Sequence, residues 1–422
     1  MSFAKFVEKI FVPDFMGKFF HIKDSDFTLS NVDNTGLYLH IPFCHSLCPY
    51  CPYDKVFYNK PLAYSYVEAV KKEIKLVSSL TGKIVVSSLY IGGGTPTTIT
   101  EKLPEIIKVF RDNFQFDGGI FIETSPYDIT DEKMRILKDI GVSMVSIGIQ
   151  SFQNKFLKLI GRNYDKETAY KSVRIVQRHF DNINIDLMFS LPLESVSDFY
   201  FDLKEAVKSG VNQITAYPLF TFPYSKAGKL LKVKNVKLPP FFTRKSMFEL
   251  MYNYLTSENF SPVSVWGFKR GKLPEFSSVT RTRYIGFGAS AGTKVKNAFY
   301  MNTFSVPHYI EKISNGKFAE VVKMYYTDLM DNYYWLYWRL YETRIPINEF
   351  EKRFSSGIEK RAKALIKLLF TLHMLKREDN YYALTRRGMF YVHLMQNHFS
   401  MNYIGKVWSE MMQEPEPKEI LL

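Results

Sequence analysis

The chain has 422 residues, of which 46% are hydrophobic, and a net charge of +14. That length supports one large core with a smaller companion domain. No apolar run approaches the roughly 18 residues of a membrane span, and Glu8 and Asp14 interrupt the N-terminal apolar stretch, so neither a spanning helix nor a secretory signal is expected.

Residues 1–36 read as an N-terminal aromatic arm, in which Phe3, Phe6, Val7, Ile10 and Phe11 recur at helical spacing until Pro13. An alternation then begins. Strand-like runs at 37–41, 85–91, 119–124, 144–149, 183–189 and 213–220 interleave with helical patterns at 61–80, 101–114, 130–140, 166–180 and 196–209. Such an order calls for a parallel sheet with right-handed crossovers. At about 30 residues per unit, it suits a curved, incomplete barrel over residues 37–220. In these sheets function collects at the carboxyl ends of the strands.

The first run leads into the chain's only cysteines, Cys44, Cys48 and Cys51. They have no other cysteine to pair with, so a disulfide framework is excluded and a reducing, cytoplasmic setting is expected. Three thiolates at C-x3-C-x2-C spacing can hold three irons of a [4Fe–4S] cube and leave the fourth iron open. An open position is what a catalytic metal centre keeps. A zinc site completed by His45, or metal-free buried thiols, are the other readings of the same spacing. The second run ends in Gly92, Gly93, Gly94, Thr95 and Pro96, where backbone can approach a ligand closely. Glu123 closes the third run, Gln150 the fourth, and Asp186 lies in the fifth. A polar side chain at the end of an apolar strand is costly without a partner. Arg162 follows Gly161 shortly after the fourth run, and its guanidinium can clamp a carboxylate through two parallel bonds.

Residues 221–304 form a less regular barrel extension and connector, with a basic stretch at 226–237, a helix at 242–257 and a glycine-rich segment at 285–292 expected to line the cavity. From 305 the pattern turns helical at 305–316, 324–343, 347–354 and 358–375; a strand follows at 381–385 and Gly388 opens a last helix. Helices followed by a hairpin suggest a winged-helix-like α+β domain over 305–422. Tyr333, Tyr334, Trp335, Tyr337, Trp338 and Tyr341 are expected to build its core or line a pocket. Residues 37–304 carry 35 Lys/Arg against 23 Asp/Glu, an excess of +12, whereas residues 305–422 carry 17 against 14. The basic central part suits an acidic ligand, and the mixed charge of the C-terminal part predicts no nucleic-acid binding.

Taken in order, these motifs resemble the oxygen-independent coproporphyrinogen III oxidase-like (HemN/HemW-like) family of radical S-adenosylmethionine (SAM) enzymes. The likeness runs from Tyr38 and the cysteine loop through Gly93, Glu123, Gln150, Arg162 and Asp186 to the glycines after Ile285. It implies a partial (β/α)6 TIM-like barrel and a winged-helix-like C-terminal domain. It also implies a cluster held by Cys44, Cys48 and Cys51. SAM contacts would come from Tyr38, Tyr50, Gly93, Gly94, Thr95, Glu123, Gln150, Arg162 and Asp186, with room for a second SAM.

The expected function is cleavage of SAM to a 5′-deoxyadenosyl radical that abstracts hydrogen from a small substrate, acidic or tetrapyrrole-related. A low-potential donor such as flavodoxin or ferredoxin would supply the electron. The rivals are a radical methyltransferase or cyclopropanase using the second SAM, an anaerobic heme-degrading enzyme, and a non-enzymatic heme chaperone. The chain departs from the family at three places. Tyr53 stands where the porphyrin oxidase has a fourth cysteine, Ser125 replaces a usual Asn, and Tyr164 occupies a position where relatives often have His. The first change predicts SAM cleavage with little decarboxylation of coproporphyrinogen III.

Overall fold

A computed structural model describes residues 17–30, 32, 34–226, 228–229, 237–272, 282–355 and 360–422. The expected helix over Phe3 to Phe11 and most of the basic connector at 226–237 lie outside the described residues. In chain order the main strands are β1 (Lys18–His21), β2 (Thr35–Ile41), β3 (Val85–Gly93), β4 (Ile120–Thr124), β5 (Val142–Gln150), β6 (Ile183–Phe189) and β7 (Gln213–Pro218). They continue as β8 (Gly267–Lys269), β9 (Tyr284–Phe287), β10 (Gly292–Val295), β11 (Ala298–Asn302), β12 (Glu320–Tyr325) and, at the far end, β13 (Glu419–Leu421).

Helices α1 (Lys60–Thr81), α2 (Leu103–Asn113), α3 (Asp131–Asp139), α4 (Lys166–Gln177) and α5 (Val196–Lys208) connect β2 through β7. Each start has a local cause. Asn59 caps α1 by accepting from Leu62 N, Asp165 caps α4, and Ser195 with Asp198 forms a capping box on α5. The strands are buried on both faces, β6 apart from Asp186 entirely so, because helices cover one side and the barrel interior the other. The apolar outer faces of the strands and the inner stripes of the helices make one continuous core.

The strand order β8-β7-β6-β5-β4-β3-β2-β9-β10-β11-β12-β1-β13 describes a single curved sheet. Strands β2 to β7 pair in parallel, as the alternation required. The structure adds a further parallel strand, since β9, from the glycine-rich segment, pairs in parallel with β2. Beyond β9 the sheet turns antiparallel.

Two elements differ from expectation. The helix expected from 324 begins at Asp328, because residues Glu320–Tyr325 pair with β11 as β12. Here Val321 and Val322 are buried, Tyr325 is exposed, and Thr327 caps the helix that follows. The aromatic arm contributes β1, wedged between β12 and the C-terminal β13.

The C-terminal part carries α7 (Asp328–Tyr341), the helices Ile347–Arg353 and Lys360–Thr371, and a small sheet in which Tyr381–Leu384 lies between Arg344–Pro346 and Leu375–Glu378. This is the winged-helix-like arrangement. It is followed by α8 (Arg386–Phe399), a π-helical turn over Ser400–Ile404 and α9 (Gly405–Gln413). Among the described residues no helix is long and apolar enough to cross a membrane.

The returning strand β13 places Ile420, 2% exposed, in a cluster with Phe19, Met301, Val321 and Met324. Ile420→Ala should therefore cost about 2–5 kcal/mol, the usual penalty for emptying a core isoleucine site. A chemical denaturation midpoint equal to that of the unsubstituted protein would show that the last strand is not docked.

Candidate active site

The carboxyl ends of β2 to β7 open into a cavity of about 690 Å³. Each cysteine and each residue assigned to SAM by resemblance borders it: Tyr38, Cys44, Cys48, Tyr50, Cys51, Gly93, Gly94, Thr95, Glu123, Gln150, Arg162 and Asp186. They come from five strands and three loops, up to 148 positions apart (Asp186 against Tyr38).

The cysteine loop is fastened at both ends by backbone bonds. Val56 N donates to Pro42 O at 2.8 Å and Tyr58 N to Cys44 O at 2.9 Å, while Gly94 N and Thr95 N donate to Ile41 O and Phe43 O, both at 2.8 Å. Gly93 sits at φ +112°, and a Cβ at Gly94 would lie 2.8 Å from Phe43 O and 3.0 Å from Cys44 Sγ. These glycines let the end of β3 close against the loop. Lys55 Nζ donates to Cys51 O at 2.9 Å and to Tyr53 O at 3.1 Å, holding the third cysteine's turn. Cys44 is buried, Cys48 and Cys51 half-buried. Burial pushes the Cys44 thiol up to about 12, so a metal must displace its proton on binding.

By donor chemistry, three thiols from one cradled loop bordering open volume suit a [4Fe–4S] cube, although among the described residues no three such side chains are already drawn together into a metal-binding group. His45 is engaged by Asp128 and Tyr58. Its Nε2 lies 3.6 Å from Asp128 Oδ1 and its ring packs edge-on to Tyr58 at 4.9 Å, which speaks against a zinc site completed by His45.

Inside the barrel, polar side chains alternate with core residues along each strand. Tyr90 Oη donates to Glu123 Oε1 at 2.5 Å and Gly93 N to Oε2 at 3.3 Å. Ser146 Oγ and Asn184 Nδ2 each donate to Asp186 at 2.8 Å. Among the described residues no cation forms an ion pair with either acid, and burial pushes Glu123 up to about 7 and Asp186 up to about 6, the Arg162 charge only partly opposing the latter. Tyr38 Oη meets His40 Nδ1 at 2.9 Å, and burial lowers His40 to about 4, leaving it neutral. Gln150 has φ +67°, a strained value for a side-chain-bearing residue, and accepts from Tyr217 Oη at 2.7 Å. The Arg162 guanidinium stands 5.4 Å from the Tyr50 ring and 5.6 Å from the Tyr164 ring. Its buried Nε has no hydrogen-bond partner among the described residues, nor has the Tyr50 hydroxyl. Tyr164, at the position of the family's His, donates to Gly148 O at 2.8 Å and Ile149 O at 2.9 Å and so fixes the end of β5.

Sequence reasoning missed Ser146, Asn184 and Thr215, which form the interior ladder with Asp186; Thr215 Oγ1 donates to Asn184 Oδ1 at 3.0 Å. The period-two placement of Asn184, Asp186 and Met188 was the available signal.

The opposite wall follows the expectation that the aromatics of residues 333–341 build a core or line a pocket, and the residues that join it from beyond α7 were not singled out in the sequence. Tyr334, Tyr337, Trp338 and Tyr341 of α7 border the cavity, while Tyr333 and Trp335 enter the core. Phe222, Tyr403 and Trp408 join them, and Trp408 packs 5.5 Å from Tyr53. Gln396 borders the cavity at 2% exposure with its amide oxygen and nitrogen both unpartnered among the described residues. An orphaned buried polar group costs about 1–3 kcal/mol. Gln396→Leu should accordingly raise the melting temperature of the ligand-free protein, and a lower one would show that the amide is bonded.

Residues 38–206 match the family model of the Radical SAM superfamily. The heme chaperone HemW of Bacillus subtilis is 28% identical over 293 residues, covering 67% of this chain and 76% of that protein. The oxygen-independent coproporphyrinogen III oxidase of Escherichia coli is 27% identical over 298 residues, 66% of this chain and 65% of that one. The solved structure of coproporphyrinogen III oxidase (HemN) from Escherichia coli superposes with a TM-score of 0.73 at 21% identity, over 87% of this chain and 91% of that chain. That superposition shows the shared fold. With strands and barrel in agreement, residues 38–206 match the Radical SAM superfamily and the chain is similar to HemN/HemW-like proteins, a likeness that implies a [4Fe–4S] cluster and SAM as cofactors.

Proposed function

We propose that this chain is a radical SAM enzyme, in which Cys44, Cys48 and Cys51 hold the cluster and the cavity beside it takes SAM and an organic substrate. The observation that carries this reading is the meeting of the three thiols, the unneutralised acids Glu123 and Asp186, and the unpartnered Arg162 Nε around one cavity. A cluster held by these residues would supply the electron for cleaving SAM to methionine and a 5′-deoxyadenosyl radical, with a donor such as flavodoxin or ferredoxin as the source of that electron.

The chain's own residues bind and orient. Arg162 takes the methionine carboxylate, since its free Nε and planar fork match two oxygens. Glu123 and Asp186 accept from the cationic ammonium and the ribose hydroxyls, which favours their ionised forms. Gly93, Gly94 and Thr95 present backbone, Gln150 supplies an amide at the strained strand end, and Tyr38 and Tyr50 wall the site. Residues 37–220 act as the barrel, 221–304 extend it, and 305–422 close the cavity and exclude water.

A tetrapyrrole-related substrate leads by family. A second reading, a heme chaperone that keeps the cluster without turnover, is favoured by the name of the Bacillus subtilis relative. Anaerobic assay of the reconstituted protein separates them. We expect 5′-deoxyadenosine in the presence of dithionite and little protoporphyrinogen from coproporphyrinogen III, because Tyr53 offers a phenol where the oxidase has a thiol. Absence of 5′-deoxyadenosine with a full complement of iron would favour the chaperone, and S-adenosylhomocysteine would indicate methyl transfer. Stoichiometric protoporphyrinogen would restore the oxidase.

Arg162→Lys should retain the iron and weaken SAM by about 1–3 kcal/mol, because a point-charge ammonium cannot reproduce the fork. Unchanged SAM affinity in a calorimetric titration would remove Arg162 from the site.

A further inference from the structure

We infer that the substrate held beside SAM is a large, predominantly apolar molecule carrying little negative charge, not a polycarboxylate. This rests on the reading of the cavity as the SAM and substrate site.

The wall facing the strand ends is aromatic. Tyr337, Trp338 and Tyr341 of α7 meet Phe399, Tyr403 and Trp408 from α8, the π-helical turn and α9. The rings support one another, Tyr337 lying 5.1 Å from both Trp338 and Phe399, and Phe399 lying 5.2 Å from Tyr403. Such a surface suits a flat, apolar ligand.

The charge inventory points the same way. Among the described residues that border the cavity, the carboxyl groups are Asp54, Glu123, Asp128, Asp186 and Glu342, of which Asp128 pairs with Lys133 at 2.6 Å and Glu342 with Arg339 at 3.0 Å, and the cations are Lys55 and Arg162. Lys55 is committed to Cys51 O and Tyr53 O. Arg162 stands over Tyr50, at the cluster end. The histidines offer no spare charge either, for His40 is neutral, His45 faces Asp128 and His398 is bonded to Asn402. A buried carboxylate needs a charge-assisted partner. A substrate with several of them would find, among the described residues of this lining, no uncommitted cation away from the cluster end. Part of the chain's basic excess lies instead on the outer surface of α1 and α2, where Lys71 and Lys102 pair with Glu105 and Lys108 pairs with Asp112. An acidic lining suits SAM, a sulfonium cation, and an uncharged partner beside it.

Two probes with the same macrocycle test this. Coproporphyrin III and its tetramethyl ester differ only in four carboxylates. Each is titrated anaerobically, by its visible absorption and fluorescence, into the reconstituted protein saturated with SAM. The ester should bind about tenfold or more tighter than the free acid. Equal affinity, or tighter binding of the acid, overturns the inference. Tyr403→Ala and Phe399→Ala should each weaken the ester severalfold without changing SAM affinity. An unchanged ester affinity in both also overturns it. SAM binding is measured on the same samples. If SAM binds and the acid is preferred, this inference alone falls, whereas absence of SAM binding removes the reading of the cavity on which it rests.

Discussion

Backbone hydrogen bonding through one curved sheet is the constraint on which the rest depends. The sheet runs from β8 through the parallel strands to β9, then through antiparallel β10, β11 and β12 to β1 and β13. Because every strand but the outermost has neighbours on both sides, the barrel rim and the last residues of the chain are held in one frame. This brings Phe19 of β1, Met324 of β12 and the terminal Leu422 to the same cavity as the cysteine loop. The C-terminal part therefore covers the strand ends as an extension of the sheet, with α8 and α9 laid across it.

Electrostatics inside that frame is unbalanced in a directed way. Glu123 and Asp186 are given neutral donors, Tyr90, Gly93, Ser146 and Asn184, and among the described residues no ion-paired cation, Arg162 acting on Asp186 only through its charge. Their elevated proton affinities follow from desolvation that the donors only partly offset. Arg162, across the rim, has an unpartnered Nε in the same enclosure. Acids without cations and a guanidinium without a carboxylate suit a zwitterion with an additional positive charge. Strain concentrates at the same place, in the left-handed backbone of Gln150.

The departures from the family acquire physical content here. Tyr164 bonds two carbonyls at the end of β5, a structural task for its hydroxyl. Tyr53 lies against Trp408, so the residue that replaces a thiol is part of the contact between the cysteine loop and α9. The chemistry at that position is thus coupled to how the C-terminal helices pack.

The sequence alone determined the strand–helix alternation, because periodicity reports local burial, and strands β2 to β7 were legible within a few residues. It also determined the cluster loop, since three cysteines at tight spacing carry their chemistry wherever the chain goes. The cavity-facing positions were legible through Glu123, Gln150 and Asp186, polar residues closing apolar strands, and through the motifs around them. Tertiary structure decided the rest. That Glu320–Tyr325 is a strand depends on β11 lying beside it. That β1 and β13 meet depends on pairing across 401 residues, as Lys18 and Glu419 do through their side chains. The basic excess of residues 37–304 suggested an acidic ligand, but charge summed along a chain says nothing about which face it occupies. Only the folded barrel set carboxyl groups around the cavity and lysines on the outer helices. The aromatic wall from α7 to α9 was visible as composition, yet its orientation toward the strand ends is set by long-range packing, which no local pattern encodes.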